Sequence, residues 1–303
     1  KNNKKKIIKT LINQFKYPDY GPGMMWEAAR DKIIDNGSKI EMAVKAIKYL
    51  YNKTDKKWHV TIQNKNNDEK VIISDIVICS APMRDVGIAI YPELKCLEDV
   101  KKLNYRDYIT VAVLIDQKKI FDDNWIYIHE EKVKAGRIQN YTAWSSLMAP
   151  SMEKSCLGLE YFCNKNDKFW NNSDSDLKKI ALEDLKLLKI IDINHIIDFF
   201  VVRQEKAYPV YDDNYKDIVE KVSNEIENDY NNFYLVGRNG MHKYNNQDHS
   251  MMTSILTVEN IIYNKTYNRW NVNEDAQYHE SDNISKERAL TLDSLRFVPK
   301  TKN

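Results

Sequence analysis

The sequence predicts a mixed α/β (α+β) protein, and three features carry that prediction. Two short apolar runs, residues 76–79 and 233–236, read as buried strands, and the second leads through a glycine turn into a long helical segment. Residues 39–80 hold short strand-like segments separated by polar breaks, the pattern of an antiparallel meander. A long β-branched stretch, residues 108–115, sits among further strand-like segments and is followed by a helix with a capping signal.

In chain order, residues 3–15 and 24–35 carry apolar positions at helical spacing. Asn36-Gly37 ends the second helix, because these residues readily take the left-handed conformation past a helix terminus. Strands are expected at 40–42, 46–51, 58–63, 71–73 and 76–79, with hairpin turns over 52–57 and 64–68. Strands at 108–115, 125–129, 137–141 and 157–163 make a second, mixed or antiparallel sheet. Alternation places Arg137, Gln139 and Tyr141 on one face, and Leu159 and Tyr161 on one face of a neighbour. Ser173 or Asp174 can cap a helix through Leu188, and residues 199–205 form another strand. Residues 214–229 form an amphipathic helix with Ile218, Val222 and Ile226 at four-residue intervals, and residues 248–262 form the last helix. The chain divides accordingly into 1–88, 89–206, 207–266 and a polar tail, 267–303, with the first and third parts belonging to one domain interrupted by a second lobe.

Composition narrows the function. A hydrophobic content of 43% with 30% charged residues suits a soluble globular chain, and a net charge of +2 with scattered basic residues argues against nucleic acid or an anionic membrane as partner. No apolar run is long enough to span a membrane. Cys79, Cys96, Cys156 and Cys163 lack CxxC spacing and are read as free thiols of a cytoplasmic protein rather than disulfides or metal ligands. His242 and His249 have no third ligand in view, so no metal site is assigned.

The stretch richest in chemistry is Gly237-Arg238-Asn239-Gly240-Met241-His242-Lys243-Tyr244-Asn245-Asn246-Gln247-Asp248-His249-Ser250-Met251-Met252. A strand, a glycine turn and a helix start in this order make an anion-receiving corner, where free N–H groups and the helix dipole converge. Glycines let the backbone approach a ligand, and the Arg238 guanidinium suits a pyrophosphate or carboxylate, a surface salt bridge being the plain alternative. Asp248 reads either as an N-cap or as part of a ligand-facing first turn.

The pattern Gly-Arg-x-Gly-x-x-x-Tyr-x-x-x-Asp resembles the C-terminal flavin motif of UDP-galactopyranose mutases, members of the amine oxidase and protoporphyrinogen oxidase superfamily of FAD proteins. Ser74-Asp75-Ile76-Val77-Ile78-Cys79-Ser80-Ala81-Pro82, the segment from Ile40 through Val44 to Ile47, and Ala207-Tyr208-Pro209-Val210-Tyr211 resemble further superfamily segments in the same order. The resemblance implies a partial FAD-binding domain of the glutathione-reductase-like type with an inserted mixed-sheet substrate lobe at 89–206. It implies cofactor contacts at Val44 and Arg238 and substrate contacts at Tyr244, Tyr208, Asn140 and Tyr141. The turn and helix start add Gly237, Gln247, Asp248 and Met251 as cofactor contacts, and Arg203, just upstream of the Tyr-Pro segment, is a further candidate for substrate anions. Asn140-Tyr141-Thr142 matches a mutase segment, whereas Asn246 and Gln247 depart from the acidic residue and Met the mutases favour.

The superfamily opens on a strand and a GxGxxG turn that holds the FAD pyrophosphate, and no such motif occurs in this sequence, which is therefore read as a fragment starting after that unit. The expected function is an FAD-dependent oxidoreductase passing hydride between a substrate carbon and the flavin. A mutase-like isomerase acting on a nucleotide sugar is the alternative, and a flavin-free binding module the second.

Overall fold

The first sheet begins where the sequence changes from helical to alternating spacing. The computed structural model describes residues 16–273; the helix expected over 3–15 and the tail beyond residue 273 lie outside them. Helix α1 (Gly23–Asp35) ends at Asn36 and Gly37, the glycine at φ +84°, as its stop signal predicts. Strands β1 (Val44–Asn52), β2 (Lys57–Asn64) and β3 (Glu69–Ser74) then form the antiparallel meander. Residues 40–42 are not extended into it: Ala43 sits at φ +58°, a left-handed kink that a strand cannot run through, and pairing starts only at Val44.

Strand β4 (Val77–Cys79) leaves the meander, helix α2 (Met83–Ala89) follows Pro82, and β5 (Ile90–Tyr91) returns parallel to β1. The short helix α3 (Leu97–Val100) leads into the second sheet. That sheet contains β6 (Tyr105–Ile115), β7 (Trp125–Tyr127), β8 (Arg137–Asn140), β9 (Ser155–Cys163) and β10 (Ile196–Pro209), antiparallel throughout, in the order β10-β6-β9-β8-β7. Between β8 and β9 lies helix α4 (Tyr141–Trp144), and between β9 and β10 lies α5 (Asp174–Leu188). Tyr141, expected as a strand residue, opens α4 because the Asn140 side chain accepts the Ala143 N–H and turns the chain. Ser173 caps α5 by accepting from the Asp176 N–H.

After β10 come α6 (Tyr215–Asp229), β11 (Phe233–Leu235), one helical turn α7 (Gly237–Gly240), and α8 (Gln247–Tyr263). Residues Tyr17–Trp270 form one compact unit with two hydrophobic cores. In the first core, Ile218, Val222 and Ile226 of α6 pack with Trp58, Phe233 and Met83. Trp58 is fully buried and donates its indole N–H to the Asn231 carbonyl at 2.9 Å, so its burial leaves no donor unmet. In the second, Ile109, Val111, Val113, Leu157 and Leu159 from one sheet face meet Leu177, Ala181 and Leu185 of α5. Burying each such side chain stabilises by about 1.5–3 kcal/mol. The opposite face of this sheet, carrying Tyr108, Phe162, Glu160 and Arg137, is the one that matters below. All four cysteines are free thiols, and among the described residues no helix is long and apolar enough to cross a membrane.

Candidate functional site

Two parallel strands make the floor of the corner. β11 pairs with β4, Phe233 opposite Val77 and Leu235 opposite Cys79, and the Val236 N–H donates to the Cys79 carbonyl at 3.0 Å. Their carboxyl ends therefore open side by side, the position at which parallel sheets hold ligands. Gly237 follows at φ +75°, strained for any other residue, with its N–H donating to Thr253 Oγ1 of α8 at 2.9 Å. A Cβ at Gly240 would lie 2.7 Å from the Cys79 carbonyl oxygen, so this turn presses directly on the loop leaving β4.

The path to α8 differs from the expected direct glycine-to-helix step. Gly237–Gly240 forms its own helical turn, and residues 241–246 loop before α8 begins. Asp248 is not the N-cap. Asn246 is, in a capping box closed by His249, whose Nδ1 accepts the Asn246 N–H at 3.2 Å. The cap lies two residues upstream, where Asn246 has an extended backbone and its side chain accepts the third helical N–H.

Arg238 is fixed by the loop it starts. Its Nε donates to the Asn245 carbonyl at 2.6 Å and its Nη1 to the Ala207 carbonyl at 3.3 Å. Its Cζ lies 4.9 Å from the Tyr244 ring centroid and 5.1 Å from that of Tyr208, and the two rings stack at 5.6 Å with 12° between planes. Among the described residues no carboxylate pairs with Arg238. A half-buried, oriented cation whose charge is met only by carbonyls and ring faces is poised to receive an anion.

The Tyr208 ring carries the site onto the open sheet face, 6.2 Å from Tyr108 and 6.2 Å from Phe162. There Glu160, only 3% exposed, accepts from Arg137 Nε at 2.6 Å and from Gln139 Nε2 at 3.1 Å. Burial, helped by Glu160 and Tyr208, raises the Tyr108 phenol above its ordinary pKa, while Arg137 and Arg238 pull the other way; both guanidiniums thus act on one ring. Tyr141 joins them, its hydroxyl lying where a side chain at Gly158 would stand, and burial followed by Glu160 raises its pKa.

Of the residues singled out from sequence, Arg238, Tyr208 and Tyr244 come together, with Tyr141 on the adjoining face. Gly237 sits beside the first turns of α8, which hold Gln247, Asp248 and Met251; its missing Cβ would be 3.8 Å from both Ser250 Cβ and Ser80 Cβ. Val44 opens β1 opposite Asn64, within the meander. The structure does not bring Arg203 to Arg238. It pairs with Ile109 on the α5 side of the sheet, and its guanidinium is taken up by Asp174 at 2.7 Å and the carbonyls of Trp170 and Asn172. The Asn140 side chain is likewise occupied, donating to the Phe121 carbonyl and capping α4. Two participants lacked a sequence signal: Tyr108 is one aromatic among many, and Asn245 sits at a variable position of the motif. Glu160 had one, as a lone acid in an apolar strand. Among the described residues no His/Cys/Asp/Glu group is arranged to hold a metal.

No protein-family model and no curated protein matches the sequence. Solved structures match by shape. A reduced UDP-galactopyranose mutase aligns over 85% of this chain at TM-score 0.72 and 18% identity, covering 55% of the mutase chain. The chain shares that fold. A putative protoporphyrinogen oxidase from Exiguobacterium sp. 255-15 aligns over 79% of this chain and 51% of its own, at TM-score 0.60 and 16% identity. An oxidoreductase from Methanosarcina mazei aligns over 73% and 49%, at TM-score 0.52 and 15% identity. The chain spans about half the length of these structures. Its mixed α/β architecture of several sheets is therefore one used by enzymes, a mutase and oxidoreductases among them.

Proposed function

We propose that this chain is part of an FAD-dependent oxidoreductase in which hydride passes between a substrate carbon and the flavin. The observation that carries the reading is Arg238, an oriented cation without a carboxylate partner among the described residues, at the carboxyl ends of the parallel strands β4 and β11. The residues present fit the cofactor. Gly237 keeps the corner free of a side chain, and Asn245 Oδ1, on a residue 1% exposed, is a buried acceptor without a donor at the same loop. Its amide nitrogen faces the Gly237 carbonyl at 3.4 Å, so the oxygen must point elsewhere.

Gly237, Arg238, Gln247, Asp248 and Met251 would hold the flavin, with Val44 at the adenine end by family resemblance. When bound, the flavin supplies a reversible two-electron acceptor. This chain's own contribution is electrostatic. The first-turn N–H groups of α8 and the Arg238 charge favour negative charge at the corner, and the rings of Tyr208 and Tyr244 flank the guanidinium. Tyr108, Tyr141, Arg137 and Glu160 would shape the substrate side on the open sheet face.

The stacked Tyr208–Tyr244 pair against Arg238 favours a second reading, a mutase-like isomerase of a nucleotide sugar, in which the phenols and guanidinium would grip a diphosphate. The absorption spectrum of the full-length protein tests the flavin reading directly, since bound flavin is coloured and its absence after reconstitution with FAD rejects the proposal. Turnover of UDP-galactopyranose under reducing conditions separates the two enzymes.

A further inference from the structure

The second sheet contains a device that aims the corner. Through most of β10 the pairing with β6 holds one register, Gln204 opposite Tyr108, but four residues on, Tyr208 faces Arg106. Four steps on β10 thus match two on β6, an insertion of two residues. An odd insertion would turn Tyr208 to the α5 side; two keep it on the open face while lifting the intervening backbone out of the ladder.

One carboxylate holds that lifted backbone. Asp107, 6% exposed, accepts the Lys206 N–H with Oδ1 and the Lys165 N–H with Oδ2, each at 2.6 Å. Lys206 is held at φ +52°, a conformation disfavoured for a residue with a side chain and retained only where its surroundings impose it. Its ammonium pairs with Asp85 of α2. The outward-facing carbonyls then meet the corner. Lys206 O accepts from Asn239 Nδ2 at 2.9 Å, and Ala207 O accepts from Arg238 Nη1.

We infer that Asp107 is a positioning residue for Arg238 and Tyr208, acting through the Lys206 bulge and Asn239. The inference deepens the functional reading above and rests on it only where ligand binding is concerned. Asp107 touches neither Arg238 nor Tyr208; it sets where the carbonyls that orient Arg238 and Asn239 stand. Substitution here should loosen the corner while leaving the sheet core intact.

The test compares Asp107→Asn, Asn239→Ala, their double variant and Arg238→Ala in the full-length protein, by amide hydrogen exchange and by FAD titration. Asp107→Asn removes one of two acceptors, and Asn239→Ala cuts the next link without touching the first. Each should speed exchange across residues 237–246 by about tenfold, with residues 109–115 unchanged, and weaken FAD binding by a similar factor. The double variant should be no worse than Asp107→Asn alone, because the two lie in series. Unchanged exchange at 237–246 in Asp107→Asn, or strictly additive effects, would overturn the inference. If Arg238→Ala leaves FAD binding intact, the functional reading falls, while the exchange result still decides the coupling.

Discussion

The guanidinium of Arg238 lies 4.9 Å from the ring of Tyr244, six residues further along the chain, and is held there by the carbonyl of the next residue, Asn245. A second ring, Tyr208, reaches the same cation from another strand. The cation is therefore held by neutral groups and keeps its charge available.

Arg238→Ala should weaken binding of flavin or of an anionic ligand such as pyrophosphate by about 10–100-fold, since a charge-assisted hydrogen bond contributes about 1.5–3 kcal/mol. Arg238→Lys keeps the charge without the planar fork and should recover only part of that loss. Calorimetric titration checks both, and wild-type affinity in the alanine variant removes Arg238 from the site.

Gly240→Ala should destabilise the fold by about 1–3 kcal/mol through overpacking. Its Cβ would meet the Cys79 carbonyl oxygen at 2.7 Å and Ser80 Cα at 3.2 Å, backbone atoms that cannot swing aside. Urea unfolding reads this, and an unshifted midpoint would show that β4 and the glycine turn can separate freely.

His242 gives the stability a pH dependence. Burial lowers its pKa, opposed by its bond to the Val210 carbonyl and by Asp212. A lowered pKa means the unfolded chain takes up the proton first, so stability is full above the ordinary histidine value of about 6.5 and is lost as pH falls below it. Its Nε2 must carry the proton that meets Val210 O at 3.1 Å, and Nδ1 is buried without a partner. His242→Gln, which keeps a donor, should flatten the decline in unfolding free energy below that value; an unaltered slope assigns the dependence elsewhere.

The thiols should be unreactive in the folded protein. Burial pushes Cys156 up to about 11, and burial first, then nearby carboxylates, pushes Cys163 up to about 11 and Cys96 up to about 12. Burial also raises Cys79, against hydrogen bonds from Tyr49 and the Ala81 backbone. Alkylation by iodoacetamide at neutral pH, read by mass spectrometry, should be slow at all four and rapid after unfolding. Fast labelling of any one in the native state contradicts its environment as described.

Elements set by local spacing were legible in the sequence. The α5 helix with its Ser173 cap, the four-residue stripe of α6, the hairpins of the meander and the β11 strand before Gly237 all follow from patterns within a few residues of themselves. The glycine–arginine segment also stood out in the sequence, because glycine, arginine and tyrosine in one turn are chemically unusual, and Arg238 and Tyr244 do meet there.

What only the tertiary structure decided was which side chains meet. Arg203 and Tyr208 are five residues apart on one strand, so alternation alone puts them on opposite faces, but that one face anchors α5 and the other meets Tyr244 is not written locally. Which face packs against α5 is a tertiary outcome, as is the orientation of Arg238 on carbonyls that a two-residue bulge turns outward. Side-chain periodicity is a property of the local backbone and is written in the sequence; register and bulges are set by partners some hundred residues away, and no local pattern encodes them.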